Sequence, residues 1–589
     1  MDHLMAIALG PVQEFIATAR RFRDFYAGSR LLSEAAARAA RHLAQAVGPE
    51  NLIFPAPKDL GELEELGQAG IPNVLLLRVP EGKDPASLGE EALGAARGYL
   101  REMAEKTLGP HRAHLRYPEA LAQVEDLLEG YYAYLPLGDY AQTRGRLMAL
   151  LSARKNTRDF APVFWGGPLY KSSLDGARES VLDFRQDEAR LRRRLGIKEG
   201  EYLSGPDLLK RLWQAPPFPS STHMAALPFW EGVRARKAEG VLEEALEELA
   251  HLAGEEARTG NPHPALRDTP FARLDVRLLY ESRLEEFPAL AEDEGRLEAA
   301  RSRLASLWKE LRKRGVKAPP GSYYALLLAD GDRMGEAIDR QTSLQAHREL
   351  SRRLALEFAQ KVRALVEGHR GGLVYSGGDD VLALLPLHTA LRAAWDLAQR
   401  FQEVMAPYGQ DGVRPSLSVG LAVVHHLEPL QDALDLVRRA EKLAKSGYKG
   451  EAPRNALAVA YSPRSGSELV VRGRWDEEPR LTQRLLRYAD LLRTETVPGR
   501  AAYELVELLR MEKDLPDHEK PLLREALVAE ARRILGRKQM EAGYREELSP
   551  SDWVGVKRLA EGLLLARPFA EALEQAAVPA ESLEVWRAH

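Results

Sequence analysis

The sequence has no cysteine in its 589 residues. Disulfides are therefore excluded, and so is any zinc site built on thiolates. No apolar run is long enough to cross a bilayer, and the Met5–Leu9 stretch is too short for a signal peptide and has no cleavage pattern behind it. A cytoplasmic protein without membrane contact is expected. The chain also lacks an excess of either charge: 83 basic residues stand against 87 acidic ones, a formal net charge of −4. That argues against a bulk polycationic binder of nucleic acid, so any RNA contact must use local patches or partner subunits. What the chain has is material for several cores. Hydrophobic residues make up 45% of a length that corresponds to about three to five domains.

The most informative stretch is Tyr375-Ser376-Gly377-Gly378-Asp379-Asp380. The flanking runs Gly372–Val374 and Val381–Pro386 predict two strands. Gly377 and Gly378 supply the positive φ of a tight hairpin turn, which puts Asp379 and Asp380 at its tip. Earlier, the apolar run Tyr323–Ala329 predicts a buried strand ending in Asp330-Gly331-Asp332. If the two elements pair side by side, their carboxylates converge at one sheet edge and repel unless cations neutralise them. Hard oxygen ligands favour Mg²⁺ or Mn²⁺, and two such ions are a standard device for in-line attack of a hydroxyl on a nucleoside triphosphate. The bland alternative is a solvated acidic turn. The order of the neighbouring elements favours the metal reading. The first strand is followed by a helical stretch, Ser343 to Glu367, then the hairpin, a helix from about His388 to Met405 and a strand Pro415–Val424. That order is β-α-β-β-α-β, the ferredoxin-like pattern.

Three elements carry a family resemblance: the run Asp330–Gly335, the Gly-Gly-Asp-Asp hairpin, and the strand Ser418–Val424 leading into His425-His426. They resemble the large subunit of type III CRISPR effector complexes. Leu9-Gly10-Pro11-Val12-Gln13-Glu14-Phe15-Ile16 and Ala27-Gly28-Ser29-Arg30 are similar to its III-B, or Cmr, branch. The resemblance implies an α+β chain with two ferredoxin-like palm domains of the nucleotidyl cyclase kind, the first degenerate, plus two helical domains. A weak internal repeat agrees with it. Leu4–Pro11 followed by a helix parallels Ala325–Asp330 followed by its own, with Gly10-Pro11 where the second copy has acids. Strand candidates Asn51–Phe54 and Asn73–Val79 have no acidic hairpin between them. The expected division is a degenerate palm over residues 1–140, a mainly helical domain over 141–318, a catalytic palm over 319–467 and a helical bundle over 468–589. Basic clusters at Arg190–Arg194 and Lys309–Lys317 read as solvated helix faces before they read as RNA contacts.

Individual roles can be assigned within the palm. Asp330, Asp379 and Asp380 are the expected metal ligands and catalytic acids, with the Gly331 carbonyl as a further ligand. Asp332 shares a face with Asp330 only if the strand continues, and a turn is expected there, so it is a weaker or supporting ligand. Met334 and Gly335 open a helix whose free N–H groups can hold phosphate oxygens. Ser376, Gly377 and Gly378 are expected at the nucleotide, Ser376 against base or ribose. Lys442 and Lys445 share a helix face, and the resemblance favours Lys445, which falls where an Ala-Lys pair binds triphosphate in related cyclases. His425 and His426, as adjacent strand residues, are expected to face opposite ways and to make a poor metal pair.

The resemblance implies a multi-subunit complex in which guide RNA reads target RNA and another Cmr-type subunit cleaves it. This chain would join ATP into cyclic oligoadenylate with two Mg²⁺ or Mn²⁺ ions when target RNA is bound. Two departures stand out. The chain opens on the first palm with only a stray Asp2-His3, so a histidine-aspartate DNase is not expected. Without cysteine, the zinc often held between the palms is not expected either. A stand-alone nucleotide cyclase, a template-directed polymerase and a catalytically weak scaffold remain as alternatives.

Overall fold

Along the first strand Leu4, Ala6 and Ala8 are buried in one cluster and Met5, Ile7 and Leu9 in another. This two-residue period marks a strand covered on both faces. The computed structural model describes residues 1–157, 170–183, 188–258, 261–409, 414–448, 450–464, 466–513, 516, 518, 520–538, 540 and 542–588. Its strands are β1 (His3–Gly10), β2 (Leu52–Phe54), β3 (Val74–Val79), β4 (Glu129–Pro136), β5 (Tyr323–Asp332), β6 (Gly372–Gly377), β7 (Asp380–Leu385), β8 (Ser416–His425), β9 (Ala456–Tyr461) and β10 (Leu469–Arg474). They form a four-stranded sheet in the order β2-β3-β1-β4 and a six-stranded sheet in the order β10-β9-β8-β5-β7-β6.

The four strands β6-β7-β5-β8 repeat β2-β3-β1-β4 position by position, each pair antiparallel. The α+β class and the duplicated ferredoxin-like unit read from the sequence are both present. Two expected boundaries move. The helix Tyr140–Asn156 lays Tyr140, Leu147 and Leu151 against Leu4, Ala6 and Ala8, so the first unit runs past residue 140. β10, expected in the C-terminal bundle, pairs antiparallel with β9, so the second unit runs to Arg474. β9 was missed because the six-element pattern is complete without it. It lies parallel to β8 and is reached by the crossover helix Leu430–Ser446.

The helix predicted from Ser343 to Glu367 is broken into Leu344–Arg352, a π-helical turn Arg353–Ala359 and Gln360–Gly368. Leu350, Leu354, Phe358 and Val362 are still buried, as their spacing requires. One hydrophobic cluster runs from Met5 and Ile7 through the helix Phe22–Val47 to Tyr324 and Leu326 of β5. The two palms therefore share a core. The alanines facing along that helix (Ala35, Ala36, Ala39, Ala40) are buried. The other face of β5, with Ala325, Leu327 and Ala329, packs in a cluster that includes Leu391 and Leu397 of the helix Leu387–Met405 and Phe569 of Trp553–Gln575. A third cluster joins the C-terminal helices from Leu491 to Leu563. Among the described residues no helix is long and apolar enough to cross a membrane.

Candidate metal and nucleotide site

The acids stand at one end of the second sheet, where β5 finishes and β7 begins. β5 does not turn at Asp330 but continues to Asp332, which puts both side chains on the face covered by the helix Leu430–Ser446. Their partners differ. Asp330 takes the Lys445 ammonium at 2.6 Å, and Lys445 also reaches Glu441 at 3.5 Å. Asp332 is 1% exposed and accepts from Ser416 Oγ at 2.7 Å, Ser418 Oγ at 2.8 Å and the Asn455 N–H at 3.0 Å. Those three donors take most of its roughly four lone-pair sites, which leaves little of the carboxylate for the supporting metal role expected of it.

The hairpin is tighter than the Gly-Gly pair suggests. Gly377 lies in β6 and pairs with Asp380, leaving Gly378 and Asp379 as a two-residue loop. Only Gly378 has positive φ, +73°, as a type II′ turn requires at its first central position. Gly377 has no such need. The loop brings Asp379 onto β5, where a Cβ on Gly331 would stand 2.6 Å from Asp379 Oδ2. Only glycine permits that approach.

Burial, then the Asp330 charge, pushes Asp379 up to about 6. Burial, then Asp379 and Asp330, pushes Asp380 up to about 7, with Lys445 opposing the rise in both. These carboxyls lack sufficient counter-charge, and as a hard-oxygen donor set they fit a Mg²⁺ or Mn²⁺ pair. Among the described residues, however, no three acidic or imidazole groups are gathered around a single point for one ion. Asp330 is instead drawn to Lys445.

Beside the acids lies a cavity of about 460 Å³ walled by both palms. The second palm contributes Asp330, Ser376, Asp380 and Glu441, the first Leu9, Ser29, Arg30 and Asn73. Ser376 is 2% exposed and its Oγ has no hydrogen-bond partner among the described residues. Its carbonyl abuts Gly70 of the first palm, where φ is +131° and a Cβ would come within 2.9 Å. Pairing of β1 with β3 ends at Ala8–Val74, and of β5 with β7 at Ala329–Val381. In register, then, Leu9 is the counterpart of Asp330 and Asn73 of Asp380.

The remaining expected residues divide. Met334 is buried at the start of the short helix Met334–Asp339, after Arg333 with φ of +61°, and Gly335 is open on its Cβ side. Lys442 is exposed and makes no hydrogen bond or ion pair among the described residues, so the structure does not bring it to the acids. Glu441, one turn before Lys445, takes that place and could have been read from its i,i+4 spacing. The first-palm wall left no comparable signal, because contacts between distant segments have no sequence period. His425 and His426 do not face apart: His426 lies beyond the end of β8, and the rings stack at 4.9 Å, with His426 also on Tyr280 at 4.6 Å. Of the basic clusters, Lys309, Arg312 and Lys313 are exposed, and Arg192 is buried against Glu188. The side chains of Arg190, Arg193 and Arg194 lie outside the described residues.

Residues 323–458 match the family model for the Cas10/Cmr2 second palm domain, and residues 4–108 the model for the N-terminal part of the CRISPR-associated protein Cmr2. The CRISPR system Cmr subunit Cmr2 of Pyrococcus furiosus is 25% identical over 572 residues, 80% of this chain and 63% of that protein. This chain thus spans less than two thirds of that relative. Two cryo-EM structures of type III-B Cmr-beta, the apo state and the form bound to cognate target RNA, share the fold with TM-scores of 0.61 and 0.62 at 13% identity. The matches cover 96% of this chain in both, and 81% and 83% of the respective relatives. Matched in one half of its duplicated core by the Cas10/Cmr2 second-palm model and in the other by the Cmr2 N-terminal model, and sharing the Cmr-beta fold along nearly its whole length, the chain is Cmr2-like.

Proposed function

We propose that this chain is the large subunit of a type III-B RNA-guided effector complex and that it converts ATP into cyclic oligoadenylate when target RNA is bound. The observation that carries this reading is the set Asp330, Asp379, Asp380 and Lys445 beside a cavity walled by both palms. Asp330, Asp379 and Asp380, with the Gly331 carbonyl, would hold two divalent cations. Bound there, such ions lower the pKa of an attacking hydroxyl and offset charge on the phosphate it attacks. Lys445 exchanges its partner Asp330 for triphosphate oxygens. Ser376 offers its unspent Oγ to base or ribose, and the bare Gly377-Gly378 backbone lets the nucleotide approach the hairpin. The first palm closes the opposite wall with Leu9 and Asn73, which bring no charge to repel phosphate.

The 3′-hydroxyl of one ATP attacks the α-phosphorus of another. The bond from α-phosphorus to the β-bridging oxygen breaks, pyrophosphate leaves, and the hydroxyl proton passes to solvent. A last attack by the terminal 3′-hydroxyl on the 5′ α-phosphorus closes the ring, breaking that phosphorus's bond to the β-bridging oxygen, releasing a further pyrophosphate and giving the hydroxyl proton to solvent. With a net charge of −4 the chain has little affinity of its own for RNA, so guide and target RNA act through neighbouring Cmr-type subunits. The Cmr-beta complex bound to cognate target RNA supports that arrangement. A catalytically weak scaffold is the second reading, favoured by acids that do not converge on one point. Thin-layer separation of products from labelled ATP tests both, using the chain alone and within the assembled complex, with and without complementary RNA. Product that rises with RNA supports the proposal, equal rates in every state mean an unregulated cyclase, and no product leaves the scaffold.

A further inference from the structure

The two palms use one connection in opposite ways. Between β6 and β7 the second palm has a turn of two residues, Gly378 and Asp379. Between β2 and β3 the first palm has the whole stretch from Phe54 to Val74, with the helix Leu60–Ala69 in it. That stretch does not stay on its own palm. Its helix lies against the π-helical turn Arg353–Ala359 and the helix Gln360–Gly368 of the second palm. Its far end reaches the acidic hairpin, where Gly70 abuts the Ser376 carbonyl so closely that a Cβ would stand 2.9 Å away. The Ile71 N–H donates to Ser33 Oγ of the first palm at 2.9 Å, which fixes the same corner from the other side. Phe54, Leu66, Gly70, Ala355, Ala359 and Gly378 close the remaining gap to about 10 Å³, room for one water at most.

Two arginines tie the stretch to the second palm. The Arg352 guanidinium meets the Glu62 carboxylate as a fork, Nη1 at 2.5 Å and Nη2 at 3.2 Å, with the arginine side chain 27% and the glutamate side chain 10% exposed. Fork pairing of this kind is charge-assisted and fixes orientation as well as distance. Arg352 Nη1 also donates to the Ala56 carbonyl at 3.0 Å. Arg348, one turn earlier on the same helix face, donates to the carbonyls of Pro57 at 3.0 Å and Pro49 at 3.3 Å. Both belong to the helix Leu344–Arg352, which runs straight into the π-helical turn, a feature that recurs at functional sites. The first palm's connection is thus fastened to the second palm at one end and bears on the hairpin of Asp379 and Asp380 at the other. We propose that the Glu62–Arg352 pair is a latch between the palms, and that both are positioning residues for nucleotidyl transfer, acting through Gly70 on the Ser376 backbone. Neither lines the cavity beside the acids. A displacement of about 1 Å at reacting groups is enough to cost about a hundredfold in rate, so a latch this near the acids bears on kcat. This inference rests on the nucleotidyl-transfer reading of the site.

The test pairs hydrogen exchange with kinetics in wild type, E62Q, R352Q, R352K and the double variant E62Q/R352Q. Mass spectrometry on the intact chain reads exchange in the segment Tyr375–Val381, and ATP turnover is measured in the assembled complex with target RNA. E62Q and R352Q are expected to speed exchange in the hairpin about fivefold or more. They should lower kcat about tenfold or more while leaving KM for ATP within about threefold. The double variant should be no worse than the weaker single one beyond about twofold, as one shared contact requires, and R352K should recover part of the loss. A lowered Tm with hairpin exchange and kcat unchanged would make the pair plain packing and overturn the proposal. Losses that add in the double variant would mean that the two residues act separately, and the latch would fall. A wild-type complex that makes no cyclic oligoadenylate removes the proposed function and the catalytic half of this inference with it, while exchange still decides whether the pair holds the hairpin.

Discussion

The two palms share one strand order and differ at the ends of three strands. In the second, β6 and β7 meet through Gly378 and Asp379 alone, and β5 ends in Asp330-Gly331-Asp332. In the first, the chain leaves β2 at Phe54 and returns at Val74 by way of the helix Leu60–Ala69, and β1 ends in Leu9-Gly10 before Pro11. Where one copy gathers charge against its own fold, the other fills the corresponding places with Leu9 and Asn73. Each solution has its cost. The second palm carries carboxyls pushed up to about 6 and about 7, while the first has Leu9 and Asn73 at the corresponding places and keeps the packing. A duplicated fold has separated the work of holding the wall from the work of the acids.

The most drastic way to break this contrast is to remove the acids. Asp379→Ala with Asp380→Ala should reduce nucleotidyl transfer by about a thousandfold or more, with Tm unchanged within about 2 °C or raised, since uncompensated carboxylates are lost. Product assays and calorimetry on the same preparation check both halves, and normal turnover would sink the site assignment. The reverse exchange comes next. Leu9→Asp puts an acid in the first palm at a position 4% exposed, without a lysine counterpart. It should cost about 3 kcal/mol or more in urea denaturation and add no Mn²⁺ affinity.

A subtler pair of substitutions compares equivalent glycines. A Cβ at Gly331 would meet Asp379 Oδ2 at 2.6 Å, whereas a Cβ at Gly10 meets nothing within 4 Å. Gly331→Ala should lower kcat about tenfold or more, and Gly10→Ala should change stability by no more than about 0.5 kcal/mol. Equal effects would refute the claim that only one palm needs the close approach.

The last comparison concerns the seam between the palms, where nothing changes near neutral pH. His347 of the second palm meets the Tyr140 hydroxyl at 2.7 Å, and burial, then Arg144, lowers it to about 4. Its ordinary value is near 6.5, so between 6.5 and 4 the unfolded chain binds the proton and the folded chain does not. Its contribution is therefore intact above about pH 6.5 and falls away as pH drops toward 4, by up to about 1.4 kcal/mol per pH unit. His347→Asn, which keeps an acceptor near the Nδ1 position, should flatten the acid side of a stability–pH curve. His223, His263, His388 and His426, also lowered by burial, keep the curve from becoming level.

The legible parts of this molecule are those with a local signal. Alternation in Leu4–Leu9 and Tyr323–Ala329, the glycines of the hairpin and the acids beside them pointed to the duplicated sheets and to the sheet end where Asp330, Asp379 and Asp380 stand. The division of labour between Asp330 and Asp332 was not legible, because it depends on Ser416, Ser418 and Asn455, far along the chain. Helical spacing alone puts Lys442 and Lys445 on one face; the resemblance favoured Lys445, and the packing of their helix over β5 sets its ammonium on Asp330. The cavity wall from Ser29 and Asn73 is likewise a product of two palms meeting. Periodicity reports which face a residue occupies and says nothing of what lies opposite.

β10 has a practical consequence for anyone who shortens this protein. It is the outermost strand of the second sheet, and beneath it β9 is a run of alanine, leucine and valine with every residue from Ala456 to Ala460 buried. Cutting after residue 467, where composition alone suggests a domain end, would strip that cover and leave an apolar edge of unpaired N–H and C=O groups, a template for chain-to-chain association. Trp475, whose indole N–H donates to the Leu417 carbonyl at 2.8 Å, would be lost with it. A truncation that ends beyond Trp475 keeps the edge sealed while still losing Phe569 and its helix from the core, so light scattering of the two shortened chains should show the one cut after residue 467 aggregating more.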